Sequence, residues 1–328
     1  MATPNTNYNT DLLSSTLEVM LRDMPSDTIF GEFVLWDTLK ERSRQKKSGG
    51  ITLLEPLMYA KATAVGSYSG YDTMDVTPPQ GLTNAEFSWK QYYGTLSISG
   101  EEERKNQGQP QKLLDILEAR WEQLRMTLSD KMNQDMFLDG TGNDSKNITG
   151  LALLDDNAGT YGNIARATAA FWQANETAAG GLLTVAGSTG LRRLFNDCSR
   201  GRAINNPNLI ITTQAVFEGY EALSDPNMRF TVSGDGQVAT SQNLIFKKAP
   251  VYYDDYCQSG VLYMLNTNYL HLVIMENMQG PSAKGDFALE PFQKPVNQDS
   301  KVAKLLWMGQ LTCSNTRYQG KLTGLTNA

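Results

Sequence analysis

The sequence predicts an α+β chain in which one long helix separates a β-rich first third from a mixed lobe, with a further strand near the end. Three observations carry that expectation. Residues 111–140, QKLLDILEARWEQLRMTLSDKMNQDMFLDG, place Leu113, Leu117, Trp121, Leu124, Leu128, Met132 and Met136 three or four apart, on one drifting helical face. Residues 51–99 read as two strand-like arms around a turn-rich middle. Residues 185–280 alternate helix and strand patterns as a packed lobe does.

Composition narrows the function. The chain has 328 residues, 40% of them hydrophobic, enough to bury a core in one large domain or two smaller ones. With 29 Lys plus Arg against 35 Asp plus Glu the net charge is -6, so no global basic field exists to hold nucleic acid by neutralising phosphates. The opening MATPNTNYNTDLL lacks a basic flank followed by an apolar core, and no run of about 18 apolar residues occurs. Neither secretion nor membrane spanning is expected, and a cytosolic origin is. Cys198, Cys257 and Cys313 stand far apart without a C-x-x-C pair, which indicates neither zinc nor a disulfide framework.

Recognisable catalytic constellations are missing. The one histidine, His271, sits in a strand-like stretch with Leu270, Leu272 and Ile274, and a structural role is expected. No phosphate-cradling G-x-x-x-x-G-K-[ST] run is present. FLDGTGNDSKNITG resembles a calcium loop only until its twelfth position, which is Gly150 instead of a bidentate Glu; a turn that ends the helix at Gly140 explains it better. No cofactor or metal is expected, and a protein of this kind acts through its surfaces. A soluble enzyme with an unrecognised site is the contrasting alternative.

In chain order, DLLSSTLEVMLRDM predicts a helix through Leu13, Leu17, Met20, Leu21 and Met24, ended by Pro25. TIFGEFVLWDTLKER carries Phe30, Phe33, Val34, Leu35 and Trp36, more apolar surface than a short arm can bury by itself. KERSRQKKSGG then gathers Lys40, Arg42, Arg44, Lys46 and Lys47 around one Glu41, as a solvated turn or a contact for an acidic neighbour. ITLLEPLMYAKATAV and NAEFSWKQYYGTLSIS predict a hairpin with a large tip, capped by Pro78 and Pro79. At ~15 residues and ~3.3 Å each, its arms would extend ~50 Å, too long to stand alone as two strands. Phe87, Trp89 and Tyr93 suggest that its support is protein.

Gly108 and Pro110 punctuate the approach to the long helix, which at ~1.5 Å per residue reaches ~42 Å and would cross most of the molecule. Glu118, Glu122 and Arg125 lie largely off its apolar stripe. Beyond Gly150 come a loop ending in Phe171 and Trp172, a helix within 185–201, and a buried strand feeding a helix through Thr212 and Thr213. In the last strand Leu305, Trp307 and Gly309 alternate with Leu306 and Met308.

This order of elements resembles the major capsid proteins of tailed bacteriophages, the Hong Kong 97-like fold. SISGEEERKNQG before the helix, FLDGTG at its end, ITGLALL and YGNIARATAAFWQAN after it, and LLWMGQLTCSNTRYQGKLTGL near the end are similar to that family. The resemblance implies an N-terminal arm (1–49), an extended loop (50–99), a peripheral domain (100–184) with spine helix 111–138, an axial domain (185–278) and a return to the peripheral sheet (279–328). It implies self-assembly through hexamers and pentamers into an icosahedral head around double-stranded DNA, without sequence-specific contact. Scaffolding, portal and decoration proteins are the further implied partners, and the host cytoplasm is the implied place of assembly. No long helical scaffolding segment is expected ahead of the loop. An encapsulin-like nanocompartment shell is the nearest alternative. Some family members cross-link a loop lysine to an asparagine, but Lys61 and Lys90 match no such set.

The implied subunit contacts are the extended loop and its base: Lys46, Lys47, Tyr68, Tyr71, Phe87, Trp89, Tyr93, Glu101, Glu102 and Glu103. Lys46 and Lys47 precede the first arm and the three glutamates follow the second, so the two clusters are expected to pair, within one subunit or across a boundary, at ~0–1 kcal/mol per exposed pair. Leu113, Leu117, Trp121, Leu124, Leu128 and Met132 are expected to form the core face of the spine.

Overall fold

The computed structural model describes residues 33–78, 80–105, 110–199, 201, 203–224, 244–276 and 287–326. The helix expected around Leu13 to Met24, together with Phe30 and Pro79, lies outside the described residues, as does the side chain of Leu113.

The chain begins with α1 (Val34–Arg42) and β1 (Arg44–Lys47), then β2 (Thr52–Met58), β3 (Leu82–Ser88) and β4 (Lys90–Ser99). Helices α2 (Gly100–Lys105) and α3 (Pro110–Met136) follow, then the short α4 (Leu151–Leu154), β5 (Thr160–Tyr161), β6 (Ile164–Ala165) and β7 (Asn175–Gly181). The lobe adds α5 (Leu191–Cys198), β8 (Leu209–Thr212), α6 (Gln214–Ser224), β9 (Ile245–Phe246), β10 (Ala249–Tyr253) and β11 (Leu262–Leu265). Last come β12 (Leu270–Met275), β13 (Ala288–Leu289), β14 (Ser300–Cys313) and β15 (Gly320–Leu325).

Strand β14 organises the first sheet. One edge pairs antiparallel with β4 from Ser300↔Ser99 to Gly309↔Lys90. The other takes β13 at Leu305 and Leu306 and β12 from Gly309 to Cys313, and β1 joins β12 in parallel. Along β14 the period-two pattern buries Ala303, Leu305 and Trp307 and exposes Lys301 and Lys304; from Gly309 onward every residue is buried. The second sheet runs β7-β15-β11-β8-β10-β9, with β8 and β11 buried throughout. Sheet membership crosses residue 278, the expected end of the axial domain: β12 lies before it but belongs to the first sheet, whereas β15 lies after it and sits between β7 and β11.

The expected long hairpin is corrected. β2 and β3 pair over seven residues each, from Thr52↔Ser88 to Met58↔Leu82, and the described residues between Met58 and Leu82 form a loop without strands. β4 leaves the ribbon after Trp89 and pairs with β14. The arms are therefore ~23 Å, about half the expected length. The ribbon's inner face also rests on its own chain. Leu53, Leu57, Ala85 and Phe87 join the main core, Phe87 meets Tyr161 edge-on at 5.0 Å, and the Glu86 N–H donates to the Gly162 carbonyl at 2.9 Å.

α3 spans 27 residues, ~40 Å, and lies along β4. Gly94 makes this approach possible, since a Cβ there would stand 2.9 Å from Leu124 Cδ1. Leu128, Met132 and Met136 are fully packed, while Leu117, Trp121 and Leu124 are only half-buried. Asp135 locks the packed end: its carboxylate accepts from Tyr92 Oη at 2.8 Å, Lys131 Nζ at 2.9 Å and Asn147 Nδ2 at 3.1 Å. Asn133 does the same toward the second sheet, accepting from the Trp36 N–H at 3.3 Å and donating Nδ2 to Asp254 at 3.0 Å. The helix stops at Met136, and Gly140, at φ +83° with the backbone of Thr149 and Ile148 against its Cα, turns the chain back.

Two ionisable groups are buried in the segment between α4 and β7. Arg166 donates to the carbonyls of Leu153 and Leu154 at 2.6 Å each, to Ala158 at 3.3 Å and to Trp172 at 3.2 Å, with its guanidinium 5.1 Å from the Tyr161 ring centre. Asp155, wholly buried nearby, has no hydrogen-bond partner for either oxygen among the described residues. Burial pushes its pKa up to about 8, against the pull of Lys321 and Arg166. Because that value lies above the ordinary 3.8, the native state holds an extra proton between about pH 4 and pH 8, and stability contributed by neutral Asp155 is lost as pH rises through that window. Asp155→Asn is expected to flatten this slope: thermal melts should give the variant a Tm higher by several degrees, ~2–4 °C per kcal/mol, at pH 8 but no such gain at pH 5. Parallel Tm-versus-pH curves would show that Asp155 is not the titrating group.

Candidate assembly surfaces

The two charge clusters at the base of the loop do not meet within the chain. β1 lies at the edge of the first sheet, separated from β4 by β12 and β14. Lys47 Nζ stands 4.0 Å from Glu55 Oε1, and Glu55 also accepts from Thr312 Oγ1 at 3.0 Å, so β2 is tied to the first sheet. His271, on β12, is half-buried there; burial holds its pKa down, opposed by Glu55 and reinforced by Lys47. Lys46 is exposed and makes no ion pair among the described residues.

The three glutamates take other partners. Glu101 pairs with Lys105 one turn along α2 at 2.8 Å, Glu102 with Arg120 of α3 at 2.8 Å, and Glu103 with Lys301 of β14. Hydrogen bonds from Lys105 and from Arg120, respectively, hold Glu101 and Glu102 below the usual carboxylate pKa. Ser99 and Glu102 form a reciprocal cap: the Ser99 N–H donates to Glu102 Oε2 at 3.2 Å, and the Glu102 N–H donates to Ser99 Oγ at 3.1 Å. The acidic run thus starts α2 and clamps it to α3 and β14. Its S-x-x-E spacing was the available signal for the cap; nothing local pointed to Arg120 or Lys301.

Aromatic residues expected at subunit contacts divide. Phe87 is 4% exposed and belongs to its own core, so its expected place at a contact is corrected. Trp89 is half-buried and its Nε1 donates to the Gly50 carbonyl at 2.9 Å. Tyr93, Tyr68 and Tyr71 are exposed. Sequence reasoning missed the ribbon's outer face, where Leu54, Met58 at 81% and Leu82 at 77% face solvent on the side opposite the core. With Ile51, Val65, Met74 and Val76 they make the loop far more apolar than a solvated hairpin requires. Among the described residues no group of three His, Cys, Asp or Glu is placed to hold a metal, and no described helix is long and apolar enough to cross a membrane.

No family model matches this sequence, and no curated protein matches it. Solved structures do. The cyanophage A-1(L) capsid asymmetric unit superposes with a TM-score of 0.68 at 14% identity, covering 96% of this chain and 99% of that one. The capsid of an empty GTA particle gives 0.61 at 9% identity, with 99% and 100% covered. The holo-SrpI encapsulin complex from Synechococcus elongatus gives 0.56 at 9% identity, with 97% and 96% covered. The chain has the fold of tailed-phage capsid proteins, the Hong Kong 97-like fold, over nearly its whole length.

Replacing Met58 and Leu82 together by serine removes apolar surface that the single chain never buries. Denaturant unfolding of the isolated chain is expected to give a stability within about 0.5 kcal/mol of the parent. A loss above about 2 kcal/mol would place this face against the chain's own core.

Proposed function

We propose that this chain is the major capsid protein of a tailed phage, assembling through hexamers and pentamers into the icosahedral head that encloses double-stranded DNA. The observation that carries the proposal is the outward apolar face of a two-stranded ribbon and loop, Leu54, Met58, Leu82, Tyr68 and Tyr71, on a chain whose fold matches shell subunits end to end. A two-stranded ribbon is marginal alone in water, and a second copy laid against it removes its apolar face from solvent. Repeated head-to-tail contacts of that kind close into rings, and rings tile a shell.

In this reading α3 is the spine of the peripheral domain, residues 50–99 are the extended loop, and the second sheet is the axial domain. The role is structural and not enzymatic. Net charge of -6 suits a lumen that contains DNA without gripping it. Assembly takes place in the host cytoplasm and the product resides in the virion, with scaffolding, portal and decoration proteins as further partners.

The likeness to an encapsulin favours a second reading, a nanocompartment with protein cargo. Electron microscopy of the expressed full chain tests the shell directly: uniform icosahedral particles or capsomer rings are expected, and a monodisperse monomer at all concentrations would refute assembly. Particles purified from the native host would separate the readings, a packaged double-stranded DNA genome marking the phage head and a protein cargo the nanocompartment.

A further inference from the structure

A pocket of about 260 Å³ opens between α1, the start of β1 and the exposed half of α3, lined by Lys40, Arg44, Trp121, Arg125 and Phe287. Three cations thus share one recess with two aromatic walls, and Lys40 Nζ lies 5.9 Å from the centre of the Phe287 ring. Burial and then the nearby Arg125 hold the Lys40 pKa below its usual value; Arg44 acts in the same direction and Asp37 opposes. Neither Lys40 nor Arg125 forms an ion pair among the described residues. Like charges gathered in a partly desolvated recess are stabilised by an anion.

The chain carries a matching anion. Residues 62–81 contain Asp72 and Asp75 and no Lys or Arg. Asp72 Oδ2 accepts from the Ser69 N–H at 2.8 Å, and Asp75 Oδ1 accepts from the Thr77 N–H at 2.9 Å and Oγ1 at 2.6 Å. These bonds shape the tip and leave one oxygen of each carboxylate without a partner among the described residues. Tyr71, the residue before Asp72, is fully exposed, so the tip does not occupy the pocket of its own chain. Nucleic acid would call for cations tracking a backbone over several phosphates. A single recess with aromatic walls instead fits a short acidic, aromatic segment.

We propose that the loop tip around Asp72 and Asp75 of one copy seats in the Lys40–Arg44–Arg125 pocket of a second copy. The inference rests on the shell reading above and adds to it the surface that receives the loop. It also gives the half-buried Trp121 a role as a pocket wall that the core stripe does not.

Cysteine pairing in trans tests it on the full chain, whose own Cys198, Cys257 and Cys313 are buried. Asp72→Cys and Arg125→Cys are made separately, mixed under conditions in which the parent associates, and oxidised. A reducible dimer should form in the mixture at ~tenfold or more the level of either variant alone. A parent that forms particles while the mixture cross-links no better than its components overturns the docking and leaves the shell reading standing. A parent that stays monomeric, with no cross-link, overturns both.

Charge reversal gives an independent reading. Arg125→Glu and Asp72→Lys should each lower particle yield by ~tenfold or more, and the two combined in one chain should restore it. If Arg125→Glu instead lowers only the nucleic-acid content of the particles, Asp72→Lys has no effect and the combination restores nothing, the pocket holds phosphate and the docking is wrong.

Discussion

The pairing of β4 with β14 is the constraint from which the rest of the architecture follows. Ten consecutive register pairs, Ser99↔Ser300 through Lys90↔Gly309, commit β4 to the first sheet. Among the described residues β2 then has β3 alone as a partner, and no third strand widens the ribbon. The same seam supplies the floor for α3, which packs on β4 where Gly94 admits Leu124. One face of β4 is thereby covered by a helix, one edge is closed by β14, and the β2–β3 ribbon departs from that base at Trp89.

Rigidity of the base comes from polar groups placed where apolar packing alone would leave choices. Asp135 joins α3 to Tyr92 of β4 and to Asn147 beyond the helix, and Asn133, two residues away, joins it to α1 through Trp36 and to Asp254. Both are buried and satisfied, which favours one arrangement of helix on sheet over its neighbours. Burial raises the pKa of the Tyr92 hydroxyl and keeps it a neutral donor to Asp135, while its oxygen accepts from the Ile148 N–H at 3.0 Å. The opposite half of α3 is held by Arg120, which pairs with Glu102 at 2.8 Å and donates to the Ser97 carbonyl at 3.2 Å, while its half-buried Trp121 and exposed Arg125 border an open pocket. A firm base and an unsatisfied outer surface are what a shell subunit combines.

Local periodicity made much of this legible. The stripe from Leu113 to Met136 marked α3, the run Leu209–Thr212 followed by Gln214–Ser224 appeared as strand then helix, and Leu305, Trp307 and Gly309 marked the buried side of β14. Partnership was not legible, because it depends on residues far apart in the chain. The alternation falls on odd positions through Ala85, Phe87 and Trp89 and on even ones through Leu96 and Ile98, a phase slip near Lys90 that no Gly or Pro marks and that does not say that β3 pairs with β2 and β4 with β14. Pro56 inside β2 was an available clue, since a residue without an N–H belongs on an edge strand. Sequence proximity misled at the glutamates, whose partners Arg120 and Lys301 come from α3 and from nearly 200 residues downstream. Buried Asp155 and Arg166 carried no signal, as a charge in a loop reads the same whether solvent or core surrounds it.

The ribbon's inner face, with Leu53, Leu57, Ala85 and Phe87, is completed within the chain, and in the proposed shell its outer face, with Leu54, Met58 and Leu82, would be completed by another copy. Amide hydrogen exchange over Thr52–Met58 and Leu82–Ser88, in the dissociated subunit and in assembled particles, tests this most directly. Because a two-stranded ribbon opens readily unless both faces are covered, protection should rise by ~tenfold or more on assembly, while β8 and β11 in the second sheet change little. Equal protection of the ribbon in both forms would contradict the claim, and would mean that its outer face needs no second copy.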